Sequence, residues 1–211
     1  MTDNLPEFDE LNNIRYRLTE MVLPETADGT KPEPRIDRKR LEDTIFELIT
    51  MGYVYGITVA GLDLETDLPV SAERMREVAD TPTKGETFRE RMATHFDEYE
   101  RSVTDNPEAT ERLINQLSVI AETETHRAIN TGGLEGAEEY QKSHPGAMVL
   151  KQWRTMLDDR VRETHDWLEG ATIPLDARFY SFDGDSALKP GDFMLAENNV
   201  NCRCILRYIT A

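Results

Sequence analysis

Apolar residues recur at three- and four-residue steps through the first two thirds of the chain. Phe8, Leu11, Ile14 and Leu18 fall on one helix face; after a Pro/Gly/Thr-rich linker between Pro24 and Pro34, the spacing resumes at Leu41, Ile45, Leu48 and Ile49. The stretch that follows, Met51–Gly61, admits two readings. Its β-branched and aromatic residues suit a strand, whereas Gly52, Gly56 and Gly61 suit a helix lying very close to a neighbour, and helix continuation is the preferred reading. A short helix is predicted from Ser71, with Ser71 as cap and Glu73 in the first turn. Phe88, Met92, Phe96 and Tyr99 align on the face of another. Asp105-Asn106-Pro107 marks a further helix start, and Leu113, Leu117, Ile120, Ala121, Thr125 and Ala128 draw a core stripe to Asn130, where Thr131-Gly132-Gly133 is read as the stop.

After His144-Pro145-Gly146 the period changes. Met148–Met156 reads as a strand with imperfect alternation, and residues 159–168 as a short helix. Ile173–Asp192 reads as loop with brief strands, and Cys204–Ile209 as a final strand. The fold class is therefore α+β: a mainly helical N-terminal arm and bundle over residues 1–145, then a compact mixed α/β module over 146–211.

Composition adds a strong acidic bias. Asp and Glu number 41 against 24 Lys and Arg, a formal charge of −17, and only six of the basic residues are lysine. A lysine-poor acidic surface is what a protein needs in very high salt, so a halophilic host is one reading and an ordinary acidic protein the other. Extended contact with DNA phosphates is disfavoured. The densest basic run, Arg35–Arg40, is interrupted by Asp37 and is read as a helix cap. No apolar run is judged long enough to span a bilayer, and no secretory signal opens the chain, so a cytoplasmic origin is expected.

The last sixty residues concentrate the chemistry. His165, Cys202 and Cys204 form a candidate zinc site, with Asp158 or another carboxylate as fourth ligand, since thiolates and imidazole suit zinc. The competing reading is a free cysteine pair packed as small apolar groups, with His165 bonded to a carboxylate. In a strand the two cysteines would face the same side. Cys202 or Cys204 with His165 and Asp158 could also be written as nucleophile, base and acid, with Arg160 and Arg203 favouring thiolate, but such triples arise easily by chance. Trp153 and Trp167 are read as core or interface anchors, and Arg160 and Arg162 as local ion-pair partners of Asp158, Asp159 and Glu163. Ser181–Ser186 spaces carboxylates somewhat like a calcium loop but lacks the distal Glu, and is read as a solvated turn.

The ordered set Lys151-x-Trp153-x-Thr155-x-x-Asp158-x-Arg160-Val161-Arg162-x-x-His165, Leu168-x-Gly170, Ile173-Pro174-Leu175-Asp176 and Asn201-Cys202-Arg203-Cys204 resembles the phage Mu F-like minor head proteins, also described as the phage head morphogenesis domain. Upstream, Ile120–Asn130 is similar to that family's helix, with Glu124 in its Thr-Glu pair and Glu122 where Arg is usual. The resemblance covers about residues 110–206 and leaves 1–105 unidentified.

It implies a structural virion protein of a tailed virus, placed inside the capsid near the portal vertex after assembly in the host cytoplasm. The implied partners are portal protein, major capsid protein or both, in copies set by portal symmetry; packaged DNA is a further contact, and no membrane or catalytic role is implied. The alternatives are a head-completion or connector protein at the portal, or a metal-dependent enzyme or toxin using the C-terminal module. The seven residues after Cys204 leave no appended effector domain and weigh against a toxin.

Overall fold

The computed structural model describes residues 13–22, 36–83, 85–103 and 108–211. Phe8 and Leu11 of the first predicted helix, the Pro24–Pro34 linker and the Asp105-Asn106-Pro107 start lie outside them. Among the described residues six α-helices occur in the order α1 (Ile14–Val22), α2 (Arg38–Asp63), α3 (Ala72–Asp80), α4 (Phe88–Ser102), α5 (Ala109–Ser143) and α6 (Glu163–Asp166). Five strands accompany the last of them: β1 (Val149–Arg154), β2 (Thr172–Pro174), β3 (Phe179–Tyr180), β4 (Ser186–Ala187) and β5 (Ile205–Thr210). The architecture is α+β, helical first and mixed at the C-terminus, as the hydrophobic pattern predicts.

The chain divides into two compact units, one of residues 1–48 and 80–122, the other of residues 49–79 and 123–211. The strands and loops after residue 145 therefore share a unit with the later parts of α2 and α5. In the first unit, the predicted stripes are buried: Ile14 and Leu18 of α1, Leu41 and Ile45 of α2, Phe88, Met92, Phe96 and Tyr99 of α4, Leu113 and Leu117 of α5. Asp37 caps α2 by accepting a hydrogen bond from the Arg40 amide, the role read for that basic run. Thr87 and Glu90 form a reciprocal capping box at the start of α4.

The second unit carries the site. Met51–Gly61 is helical and belongs to α2, the reading preferred from its glycines. A Cβ on Gly56 would lie 1.9 Å from the Ile129 carbonyl oxygen, and one on Gly132 would lie 2.1 Å from that of Tyr53. The backbones of α2 and α5 therefore touch, which is possible only where both helices lack side chains. This overturns the helix stop at Thr131-Gly132-Gly133, because α5 runs on to Ser143. Neither Gly132 nor Gly133 has the positive φ of a glycine cap; they serve a close approach, and Leu134 and Ala137 carry the buried stripe onward. By length and composition α2 could cross a membrane, contrary to the reading from apolar runs. More than half of its apolar stretch is buried within the fold, and we read it as a core helix.

β2, β1 and β5 form an antiparallel sheet in that order, with Lys151 opposite Ile173 on one side and Trp153 opposite Leu206 on the other. β3 and β4 make a separate hairpin pairing Phe179 with Ala187. Burial alternates along β1, with Val149, Lys151 and Trp153 inward. The alternation looked imperfect in sequence because a lysine holds the middle core position. The predicted helix over residues 159–168 shrinks to the single turn α6. Ahead of it the backbone reverses at Leu157, with φ 53°, and the Asp158 carboxylate accepts the Arg160 amide in a turn.

Candidate metal centre

His165 sits in α6, which follows the turn at Leu157. Cys202 and Cys204 precede β5, outside any strand. A left-handed residue stands just ahead of them. Asn201 has φ 56°, a conformation asparagine tolerates better than most residues, and its amide donates to Thr123 Oγ1 of α5 at 3.1 Å. Both sulfurs then meet His165 Nδ1, Cys202 Sγ at 3.5 Å and Cys204 Sγ at 3.4 Å. All three residues are buried, and their ligand atoms lie within 4.8 Å of one another.

The surroundings hold this cluster in place. Phe193 stacks on the His165 ring at 5.4 Å and Trp153 meets it edge-on at 5.6 Å, so aromatic faces orient the imidazole. Its Nε2 is buried without a hydrogen-bond partner among the described residues. Asn130 of α5 bridges from the other side: its amide donates to the Cys204 carbonyl at 2.9 Å and its carbonyl accepts from the Leu206 amide at 3.0 Å. On the same helix, buried Glu124 pairs with Arg127, which also donates to the Val78 carbonyl. The Thr123-Glu124 segment and the Asn-Cys-Arg-Cys segment, far apart in sequence, are thus two sides of one construction.

The two thiols titrate as a pair. A hydrogen bond from Cys204, helped by His165, holds Cys202 well below the ordinary thiol range, and the same proximity, with burial, pushes Cys204 well above it. Cys202 is the sulfur prepared to be a thiolate. His126, on α5, is depressed by burial, with the Arg203 charge acting in the same sense.

Asp158 is not brought to the cluster. Its carboxylate receives both guanidinium nitrogens of Arg203, at 2.7 and 2.8 Å, and Arg160 approaches it at 3.8 Å. Arg203 is therefore the main partner of Asp158, not Arg160 or Arg162 as local spacing predicts; Arg162 donates instead to the Val200 carbonyl. Trp153 is wholly buried, whereas Trp167 is 68% exposed and is no core anchor. The Ser181–Ser186 turn is solvated at its tip, where Phe182, Asp183 and Gly184 are exposed, but not throughout. Asp185 is buried, and its carboxylate accepts the amides of Ser186, Met194 and Leu195 and the side chain of Asn198, which leaves it occupied by N–H donors. Phe193 carried no sequence signal, since it lies in an aperiodic loop.

Lys151, the first residue of the family-like motif, is wholly buried. Its ammonium donates to the carbonyls of Leu175 and Leu188 at 2.6 and 2.7 Å, tying two loops to β1. Burial lowers its pKa to about 8 from 10.5. Between those values the unfolded chain binds more protons than the folded one, so stability rises with pH across that window. Wild type is therefore expected to gain on the order of 1 kcal/mol per pH unit relative to Lys151→Met in denaturant titrations over that range. Parallel pH profiles for the two proteins would contradict this account.

The family model described as phage Mu protein F like protein matches residues 91–207. The chain is 36% identical over 89 residues to minor head protein GP7 of Bacillus phage SPP1, taking in 42% of this chain and 28% of that protein. It is 28% identical over 153 residues to NAD(+)--arginine ADP-ribosyltransferase EFV of Enterococcus faecalis, taking in 64% of this chain and 31% of that protein. The chain thus spans less than a third of the length of these two curated relatives. No solved structure matches it.

Proposed function

This chain belongs to the phage Mu protein F like family, and on that premise we propose that it is a structural minor head protein of a tailed virus. It acts through protein–protein contacts inside the capsid near the portal vertex, in assembly or in DNA packaging and delivery. The observation that carries the reading is the family match itself, which spans α5, the three-ligand cluster and the first half of β5, and is supported by the likeness to a phage minor head protein. Its partners are portal protein and major capsid protein, its copy number follows portal symmetry, and it enters the head in the host cytoplasm. The charge of −17 supports protein rather than phosphate partners and a host with high internal salt. Co-expression with the portal and major capsid proteins of the same virus tests this: the chain is expected to co-sediment with portal-containing heads. Recovery of all of it free of heads and portal would refute the placement.

A second reading has one observation in its favour, the match to an arginine ADP-ribosyltransferase, although that match covers under a third of the enzyme. A structural protein is expected to consume no NAD⁺ in the presence of arginine or arginine-containing protein. Measurable turnover that is lost on heat denaturation would decide for the enzyme.

His165, Cys202 and Cys204 hold a zinc ion in this reading. With zinc bonds of about 2.1 Å to nitrogen and 2.3 Å to sulfur, a tetrahedral N–Zn–S edge measures about 3.6 Å, close to the 3.4 and 3.5 Å observed. The ion would lock α6 to the loop before β5, a structural role. Protein purified under reducing conditions is expected to carry close to one zinc per chain, and chelation is expected to lower its unfolding midpoint. A metal-free protein whose melting is unmoved by added zinc would refute the site.

A further inference from the structure

We infer that this zinc centre is open: three protein ligands hold the metal, and its fourth position takes water or a small anion from solution. The inference rests on the zinc reading above and adds what completes the coordination. Zinc bound by thiolate and imidazole takes four ligands. Among the described residues only His165, Cys202 and Cys204 bring ligand atoms within 4.8 Å of one another. The natural fourth candidate, Asp158, is engaged by both guanidinium nitrogens of Arg203 and by the Arg160 amide. Turning it to the metal would break that bidentate pair.

A surface cleft reaches all three ligand residues and has about 10 Å³ available to a water-sized sphere, the space of one water or one ion. The metal itself would take that space, and an exogenous ligand would approach it from the mouth of the cleft. Its remaining wall includes Arg160, Arg162 and Arg203. Two thiolates and a neutral imidazole cancel the charge of the zinc ion, and Asp158 offsets only part of the charge of the three guanidinium groups, so the net positive potential favours an anion over a cation or a bulky neutral ligand. The outcome is a structural zinc with an exchangeable position in an arginine-lined notch.

Cobalt(II) substitution of the whole chain, read by visible ligand-field and sulfur-to-cobalt charge-transfer bands, tests this with azide as the probe. Tetrahedral bands that shift saturably as azide is added are expected. Stoichiometric cobalt with bands that ignore azide would mean a fourth protein ligand; it would overturn the open position while leaving the metal site intact. Failure to take up cobalt or zinc at all would overturn the reading on which the inference rests. Arg160 is mostly exposed, so Arg160→Gln is expected to fold normally, to keep the azide-free spectrum, and to bind azide roughly two- to fivefold more weakly. Unchanged azide affinity in that variant would remove Arg160 from the account of anion preference.

Discussion

Replacing Gly56 with alanine is expected to destabilise the protein by about 3 kcal/mol or more, the upper part of the range for overpacking. Two effects oppose each other at this position, and their signs differ. Helix propensity alone favours the substitution by about 1 kcal/mol, because alanine restricts the unfolded chain and glycine does not. Packing opposes it: the new methyl would stand 1.9 Å from the Ile129 carbonyl oxygen and 2.8 Å from the Gly133 nitrogen. Those are backbone atoms of α5, so no side chain can rotate away, and the helices must separate. Separation would also disturb Asn130 and Thr123, which lie on the same stretch of α5 and hold the loop bearing the cysteines. Urea denaturation compares the two directly. A midpoint at or above that of wild type would mean that α2 and α5 do not touch as described.

Trp153→Ala is expected to cost about 3–5 kcal/mol, the usual range for truncating a wholly buried tryptophan, and Trp167→Ala no more than about 0.5 kcal/mol. The two residues are fourteen apart and looked alike in sequence. Trp153 faces inward on β1 with its ring 5.1 Å from Phe179, 5.7 Å from Phe193 and 5.6 Å from His165. Trp167 projects from the turn after α6 and is 68% exposed. Because Trp153 and Phe193 flank the imidazole, whose Nε2 has no hydrogen-bond partner among the described residues, Trp153→Ala should also weaken the proposed metal binding, while Trp167→Ala should leave it alone. Equal losses of stability in the two variants would contradict the burial assigned to them.

The helical stripes were legible because a buried helix face must be apolar every three or four residues, whatever it packs against. Ser71 was readable as a cap for a similarly local reason, and its hydroxyl accepts the Arg74 amide. The residues of the candidate metal centre were legible by type: a histidine and two cysteines are scarce in this chain and suit one another chemically. Their geometry was not. Both sulfurs reach His165 from the segment that follows Asn201 in its left-handed conformation, and Asp158 goes to Arg203 across 45 residues of sequence. The membership of Asp158 failed because a carboxylate near a candidate site reads the same whether it binds a metal or an arginine.

The sequence by itself determined the α+β class, the helix faces, the acidic surface and the three residues able to ligate a metal, since each follows from periodicity, charge or side-chain chemistry within a short window. Only the tertiary structure decided what Gly132 and Gly133 mean, why a lysine sits in the middle of a core strand, and which side chains surround the cluster. A glycine that stops a helix and one that admits a neighbouring backbone are identical in sequence. They differ only in what stands opposite, and for Gly132 that is the carbonyl of Tyr53, seventy-nine residues earlier in the chain.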